Sequence, residues 1–426
     1  MVAASLSTPT AAADAAPGGW VAALLANAPG FASPGADVLA PSRSRAAQTL
    51  AQTPLPSRRV EAWRFTDLAP LTALSPTLLS PAPAAQPETV AGSLRLSLDG
   101  HSDPLAGISL PAGLEPISGA ELEASLGQVL AATGSAELWP VLLNGATARH
   151  VLALRVRGAV ATTLELVSDA GDGEGILPLR LLLVLEPQAS VEVLQVHRSG
   201  GANLTSVVLE ARLGEGAELR HGLLAPGADT GCLLATVAVE QATGSRFSGV
   251  SAHGGWSLGR LEPRLVQREG AAHSALKALQ LADGRQISDT HSQMVFEGPD
   301  GRLEQLHKAV ADGQGRSVFN GAVQVPRAAQ RTDAAQLSRN LLLSDRARID
   351  TKPELEIVAD DVRCAHGATV SRLEQDELFY LQSRGIAADQ AARLLLRGFC
   401  EEVLQELPDA ARPWQPLASL LGEQGR

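Results

Sequence analysis

The chain carries one short pair of residues whose types and spacing suit chemistry, Cys364-Ala365-His366. In an extended strand, residues i and i+2 project from the same face. A thiol and an imidazole then stand side by side while Ala365 points the other way. Both are ligand types that iron and zinc sites accept. Two ligands do not close a tetrahedral site, so the missing ones are expected from another chain. The alternative is structural, a buried Cys followed by a turn His ahead of Gly367. The residues by themselves favour the structural reading.

Other chemical motifs are scarce. There is no Walker A run, no G-x-G-x-x-G opening a helix, and no H-E-x-x-H. With three Cys and no C-x-x-C, a self-contained four-cysteine zinc or cluster site is excluded. Gly255-Trp256-Ser257-Leu258-Gly259 spells the nucleophile elbow, but that motif needs a helix straight after the Ser. Here Arg260-Leu261-Glu262-Pro263 continues in strand-like text, so an ordinary turn is expected. His221, His291 and His307 stand singly on or near expected strands and read as core or surface residues. Cys232 reads as a buried aliphatic substitute, and Cys400 belongs to a helical stripe.

The elements that must position the Cys–His pair follow from composition and period. The chain has 426 residues with 40 Gly, but only five Trp, one Tyr and seven Phe. A core of Val, Leu and Ala suits thin repeated layers, as in a solenoid. From about residue 150 to 370 the text is strands almost throughout, for example 151–156, 163–167, 179–185, 191–196, 206–213, 233–239 and 355–358. Turns centre near Gly214, Thr243, Gly270 and Pro299, about 27–29 residues apart, then near Gln314, Ala329, Asp345 and Asp361, about 15–16 apart. A sandwich would show turns every ~8–12 residues and more aromatic residues. A parallel β-solenoid is therefore expected, with the helical segments at both termini as its caps. An uncapped last coil would be an edge inviting a partner strand.

Three regions are expected. Residues 1–90 read as helical and Pro-interrupted, with helices at 20–27 and 43–52, Ser42 or Ser44 as N-cap of the latter, and a flexible linker over 75–90. Trp63 and Phe65 would anchor the intervening connector to the body. Residues 91–370 form the β-helix core, with a strand at 94–98 and a helical interlude near 119–145 made of helices at 120–131 and 136–143. Residues 371–426 are helical again, with one helix at 374–383 closed by Gly385 and a second at 388–407 ended by Pro408. In the second, Leu395, Leu396, Phe399, Cys400, Val403, Leu404 and Leu407 form an apolar stripe. The residues favour docking on the end of its own solenoid over receiving another protein, since most amphipathic helices serve their own core.

The charge, 35 basic against 46 acidic residues for a net of −11, argues against nucleic-acid binding. The first 42 residues hold no Lys or Arg, which fits neither a secretory signal nor a transit peptide. No apolar run reaches the ~18 residues of a membrane span. Few, scattered Cys suit a reducing, cytoplasmic setting.

Several ordered motifs resemble the SufB/SufD family of iron–sulfur cluster assembly proteins. They are Ser338-Arg339-Asn340-Leu341-Leu342-Leu343-Ser344, Ile349-Asp350-Thr351-Lys352-Pro353-Glu354-Leu355-Glu356-Ile357 and Cys364-Ala365-His366-Gly367-Ala368-Thr369. Leu378-Phe379-Tyr380-Leu381 and Ser383-Arg384-Gly385-Ile386 follow, and His307-Lys308 and Val318-Phe319-Asn320-Gly321 lie upstream. The segment 59–68 with Glu61, Trp63 and Thr66 resembles the family's N-terminal motif. The likeness is dense from about residue 285 to 405. Within the family it is to SufD-type chains: the Asp350-Thr351-Lys352-Pro353 turn and Cys-x-His-Gly-Ala-Thr are of that kind. SufB-type chains carry a Cys in the preceding turn, where this chain has Asp345-Arg346-Ala347-Arg348.

The resemblance implies a mainly β fold, a right-handed parallel β-helix flanked by N- and C-terminal helical regions. It implies a non-catalytic scaffold subunit of a SufB–SufC–SufD complex, paired with SufB through the β-helices. A homodimer is a second possible pairing. The C-terminal helices would dock the SufC ATPase, through Leu395, Leu396, Phe399 and Val403, and no ATP site is expected on this chain. His366, more than Cys364, would face SufB at a nascent, transient Fe–S cluster. Two other readings stand beside it: a carbohydrate-active solenoid enzyme, which wants aromatic platforms and clustered carboxylates, and an adaptor without ligand role.

Overall fold

The computed structural model describes residues 17–28, 36–80 and 85–421. Alternating apolar and polar residues produce the first strands, β1 (Ser93–Ser97), β2 (Leu114–Pro116), β3 (Val151–Val156), β4 (Thr163–Asp169), β5 (Gly175–Leu185) and β6 (Ser190–Arg198). The series continues through β7 (Asn203–Leu213), β8 (Glu218–Pro226), β9 (Cys232–Gln241), β10 (Arg246–Gly254), β11 (Leu258–Gln267) and β12 (His273–Ala282). It closes with β13 (Ile287–Phe296), β14 (Arg302–Ala311), β15 (Arg316–Val325), β16 (Asp333–Leu342), β17 (Arg348–Ile357) and β18 (Arg363–Ser371).

From β3 onward the strands alternate between two sheets. One nine-stranded sheet holds β1 and the even strands from β4 to β18, the other holds β2 and the odd strands from β3 to β17. Apart from the antiparallel β2–β3 pair, the pairing is parallel. The protein is a parallel β-solenoid. Residues one coil apart meet, as Thr163 and Glu192 do in a 2.8 Å hydrogen bond across 29 positions. Each coil turns two corners, one after each strand. The long turn spacing in the sequence follows one corner per coil, and the half-spacing that succeeds it reads both. Inward side chains fill the space between the sheets, with Leu154, Leu181, Leu183, Leu209 and Val239 among the buried core.

Helices α1 (Pro17–Asn27), α2 (Ala36–Gln52), α3 (Ala69–Thr72), α4 (Gly119–Ser125), α5 (Gln128–Ala132) and α6 (Trp139–Thr147) form the N-terminal and interlude helices. Leu24, Leu50, Leu71 and Leu143 pack with Leu204, Leu234 and Leu258 on the outer face of the odd-strand sheet. α2 begins ahead of Pro41, so Ser42 lies inside it, donating to the Leu39 carbonyl at 2.9 Å, and caps nothing. The expected helix at 120–131 is two, because Gly127 enters the left-handed region at φ 85° and breaks it. Within the expected linker, residues 81–84 lie outside the described residues, while Leu78 bridges to Ile176 and Leu79 is buried.

The C-terminal helices are α7 (Gln375–Ser383), α8 (Ala388–Leu404) and α9 (Pro416–Leu421). After α7, Gly385 takes φ 86° and donates to Gln382 O at 2.9 Å, while Ile386 donates to Leu381 O at 3.3 Å. This paired closure is the Schellman stop that its Gly predicts. The helices do not cap the solenoid's C-terminal end. α8 runs along its flank, where Cys400, Val403, Leu404 and Leu407 pack on Leu224, Val250, Leu279 and Val310 of the even-strand sheet. Among the described residues no helix is long and apolar enough to cross a membrane.

Candidate functional site

β17 and β18 are the last strands of their sheets; β18 is exposed along most of its length, and β17 is half-buried along most of its own. Among the described residues, the solenoid therefore ends on two edges whose outer backbone groups have no strand beyond them. Such an edge pairs readily with another chain. Asp350-Thr351-Lys352-Pro353 lies inside β17 and is not a turn. Pro353 is admissible there because an edge strand need not donate every N–H to a ladder.

Cys364 and His366 share one row of β18, as period two requires. Their register partners one coil down are Ala334 and Gln336, both buried and inward-facing. The pair thus occupies core positions of a coil that nothing covers. His366 is exposed, and Cys364 is half-buried against the interior. Burial holds the Cys364 thiol above its usual range, which disfavours the thiolate that binds metal. Cys232 and Cys400 are buried, and burial pushes both thiols up to about 12, which disfavours their thiolate forms at neutral pH. Among the described residues no group of three or more His, Cys, Asp or Glu is placed to hold a metal ion.

Beneath the pair the interior turns polar. Gln336 Nε2 donates to Gln305 Oε1 at 2.8 Å, and Gln305 Nε2 donates to Ser292 Oγ at 2.8 Å. Thr351 Oγ1 and Ser338 Oγ are 2.9 Å apart, and Asn340 Nδ2 donates to Ser338 Oγ and to Thr369 O, both at 2.9 Å. His307 is buried, stacked on Phe319 with ring centroids 4.0 Å apart, and burial lowers its pKa to about 3. Gly321 is what admits the Gln336 amide: a Cβ there would overlap its nitrogen and stand 2.7 Å from Phe319 Cζ. Apolar periodicity does not reveal this ladder; its signal in the sequence is Gln, Ser and Asn at every second position of β16.

The same alternation sends neighbouring residues outward. Lys308, next to inward His307, has its ammonium 2.7 Å from Phe399 O and 4.1 Å from the Phe399 ring centroid, which fastens α8. Lys352 meets Glu61 at 2.7 Å. Trp63 anchors the N-terminal connector as expected, buried with the Arg260 guanidinium 3.9 Å from its ring centroid. Arg260, Glu262 and Asp289 form a fully buried ion cluster that also binds Thr66 and, at 3.1 Å, His291. Asp289 is held down to about 2, against its burial, by Arg260 and then by His291. His221 is buried and bonded to Gln195 at 2.9 Å. Gly255 makes a turn and Ser257 runs directly into β11, so the elbow-like motif is a corner.

The expected docking stripe divides. Val403 is fully buried against this chain's own solenoid, and Leu396 and Phe399 are partly buried there, so they do not form an open surface. The correction has a simple cause: the stripe covers the outer face of the even-strand sheet, which would otherwise be exposed. Leu395 is half-buried, and the exposed apolar side chains of the helix pair are Phe379, Tyr380 and Leu394.

Residues 167–399 match the family model for the SufBD core domain of the SUF system of FeS cluster assembly. An iron–sulfur cluster assembly SufBD family protein of Synechocystis is 41% identical over 242 residues, 54% of this chain and 53% of that protein. The iron–sulfur cluster assembly protein SufD of Escherichia coli is 37% identical over 145 residues, 34% of each chain. SufD of Bacillus subtilis is 36% identical over 132 residues, 31% of this chain and 30% of that one. The chain thus spans about half, or less, of the length of these curated relatives.

Proposed function

We propose that this chain, which belongs to the SufBD family of iron–sulfur cluster assembly proteins of the SUF system, works as a SufD-type scaffold whose open solenoid end receives SufB. The observation that carries the reading is His366, an exposed imidazole at a core position of the last coil. A second solenoid docked on β17 and β18 would bury that imidazole and bring its own residues to the same layer. The nascent cluster is then cargo held between two chains, with His366 the stronger ligand and Cys364, its thiolate disfavoured, the weaker. The SufC ATPase would dock on the helix pair through Phe379, Tyr380, Leu394 and Leu395, the side that α8 leaves to solvent. No step in this reading is catalysed by the chain itself.

Expression with the neighbouring genes tests the complex: neither an ABC-type ATPase nor a larger paralogue co-purifying would sink it. His366→Ala tests the site. It should abolish cluster assembly in vivo while the complex still purifies intact, and near-normal assembly would refute the ligand role.

A further inference from the structure

The amide chain Ser292–Gln305–Gln336 has a direction. Ser292 Oγ accepts from Gln305, and Gln305 Oε1 accepts from Gln336 Nε2. The nitrogen of Gln336 is thereby committed to the coil below, and its oxygen lies on the opposite side of the amide. Gln336 is 3% exposed, and its Oε1 has no hydrogen-bond partner. A buried acceptor without a partner carries its full desolvation penalty, so a donor brought to it is bound favourably. The residue in register with Gln336 in the coil above is His366.

We infer that Gln336 is a positioning residue for His366: its Oε1, open in this structure, accepts one ring N–H once the exposed imidazole turns onto it. The inference rests on the reading of His366 as the ligand that faces the partner. A ring that gives one N–H to a fixed carbonyl presents its other nitrogen, unprotonated, away from it, and that is the nitrogen a metal takes. The amide is locked from below by Gln305 and given room by Gly321, so its orientation is set before any partner arrives.

The test uses the full chain labelled with 15N-histidine, reading the ring nitrogen shifts of His366 at one fixed alkaline pH. Loss of those signals in His366→Gln assigns them. A single hydrogen bond should bias the tautomer ratio by about fivefold over that of free histidine. Gln336→Met keeps the volume and removes the acceptor, and should abolish the bias. Gln305→Met leaves Gln336 in place but releases its amide, and should weaken the bias. A ratio unchanged in both variants overturns the inference, whatever their stability. In the assembled complex, Gln336→Met should lower cluster formation by about 10–100-fold, and unchanged formation also overturns it. Normal assembly by His366→Ala, with the tautomer bias intact, instead defeats the ligand reading and leaves the geometry standing.

Discussion

The first and last coils of this solenoid share a backbone plan and differ in what fills it. Between β3 and β9 the inward rows are mostly Leu and Val, such as Leu154, Leu181, Leu183, Leu209, Val237 and Val239. The polar group among them, Ser168, His197, Gln195 and His221, is bonded among its own members. Between β12 and β18 they include Gln280, Gln305, His307, Gln336, Ser338, Asn340 and Thr351. Aliphatic layers stack without direction, so any coil can cover any other. A layer of amides and hydroxyls must find its partners in the adjacent coil. The terminal coil has no successor, and hydrogen-bonding capacity is left over toward the end. Gln336 Oε1 and Asn340 Oδ1, one coil in from the end, and both ring nitrogens of His307, a coil further in, are buried without partners. An aliphatic end would attract any apolar surface, whereas a polar one would accept only a surface with matching donors and acceptors.

The contrast predicts opposite responses to opposite substitutions. Leu209→Gln puts an amide where no neighbour can bond it. Lost burial and an unsatisfied group together should cost about 3–6 kcal/mol in urea unfolding. His307→Leu removes two nitrogens that have no partners, and should shift stability by no more than about 1 kcal/mol, with either sign. Equal costs at the two sites would dissolve the distinction between the halves.

Acid should reveal the buried imidazoles. His197 and His307 are lowered to about 3, and His221 and His253 to about 4, in every case chiefly by burial. Below the unfolded value of ~6.5 the unfolded chain binds protons that the native chain refuses, so stability falls as pH falls from about 6.5 toward 4. Each such His contributes a slope of up to about 1.4 kcal/mol per pH unit. Denaturant midpoints of His307→Leu between pH 6.5 and 4 should follow a shallower line than wild type by about that slope. Parallel lines would mean that His307 titrates normally and that the last coils admit water freely.

Crowding gives a smaller effect. Gly321→Ala drives a methyl against the Gln336 amide and the Phe319 ring, and should cost about 1–3 kcal/mol. No measurable cost would show that the amide is loosely held, which weakens the case for a polar layer ordered in advance.

How much of this was legible before the structure depends on which force set each feature. Period two and a recurring turn spacing reveal a solenoid because backbone geometry imposes them. The row shared by Cys364 and His366 is legible for the same reason. The role of the C-terminal helices was not. An amphipathic stripe has the same pattern whether it covers its own sheet or another protein, and here Val403 went to its own sheet. The buried cluster of Arg260, Glu262 and Asp289 was equally hidden. Its members come from two strands a coil apart, and only the fold puts Trp63 and Thr66 of the connector on top of them.

The connector supplies the last comparison, between what holds the end coil from inside and from outside. Inside are the part-buried bond from Thr351 to Ser338 and the fully buried one from Gln336 to Gln305. Outside is the ion pair of Lys352 with Glu61, whose side chains are 48% and 80% exposed. At that exposure solvent screens the attraction and the two long side chains lose rotamer freedom to keep it, so the pair should contribute at most about 0.5 kcal/mol. Glu61→Gln should leave the unfolding midpoint nearly unchanged, and the small shift should vanish at high salt, where the Debye length falls to about 3 Å. The contact would then only mark where the connector crosses β17. A loss several times larger and insensitive to salt would reverse the comparison, making the connector a clasp that orders the open end and leaving the polar interior as filling.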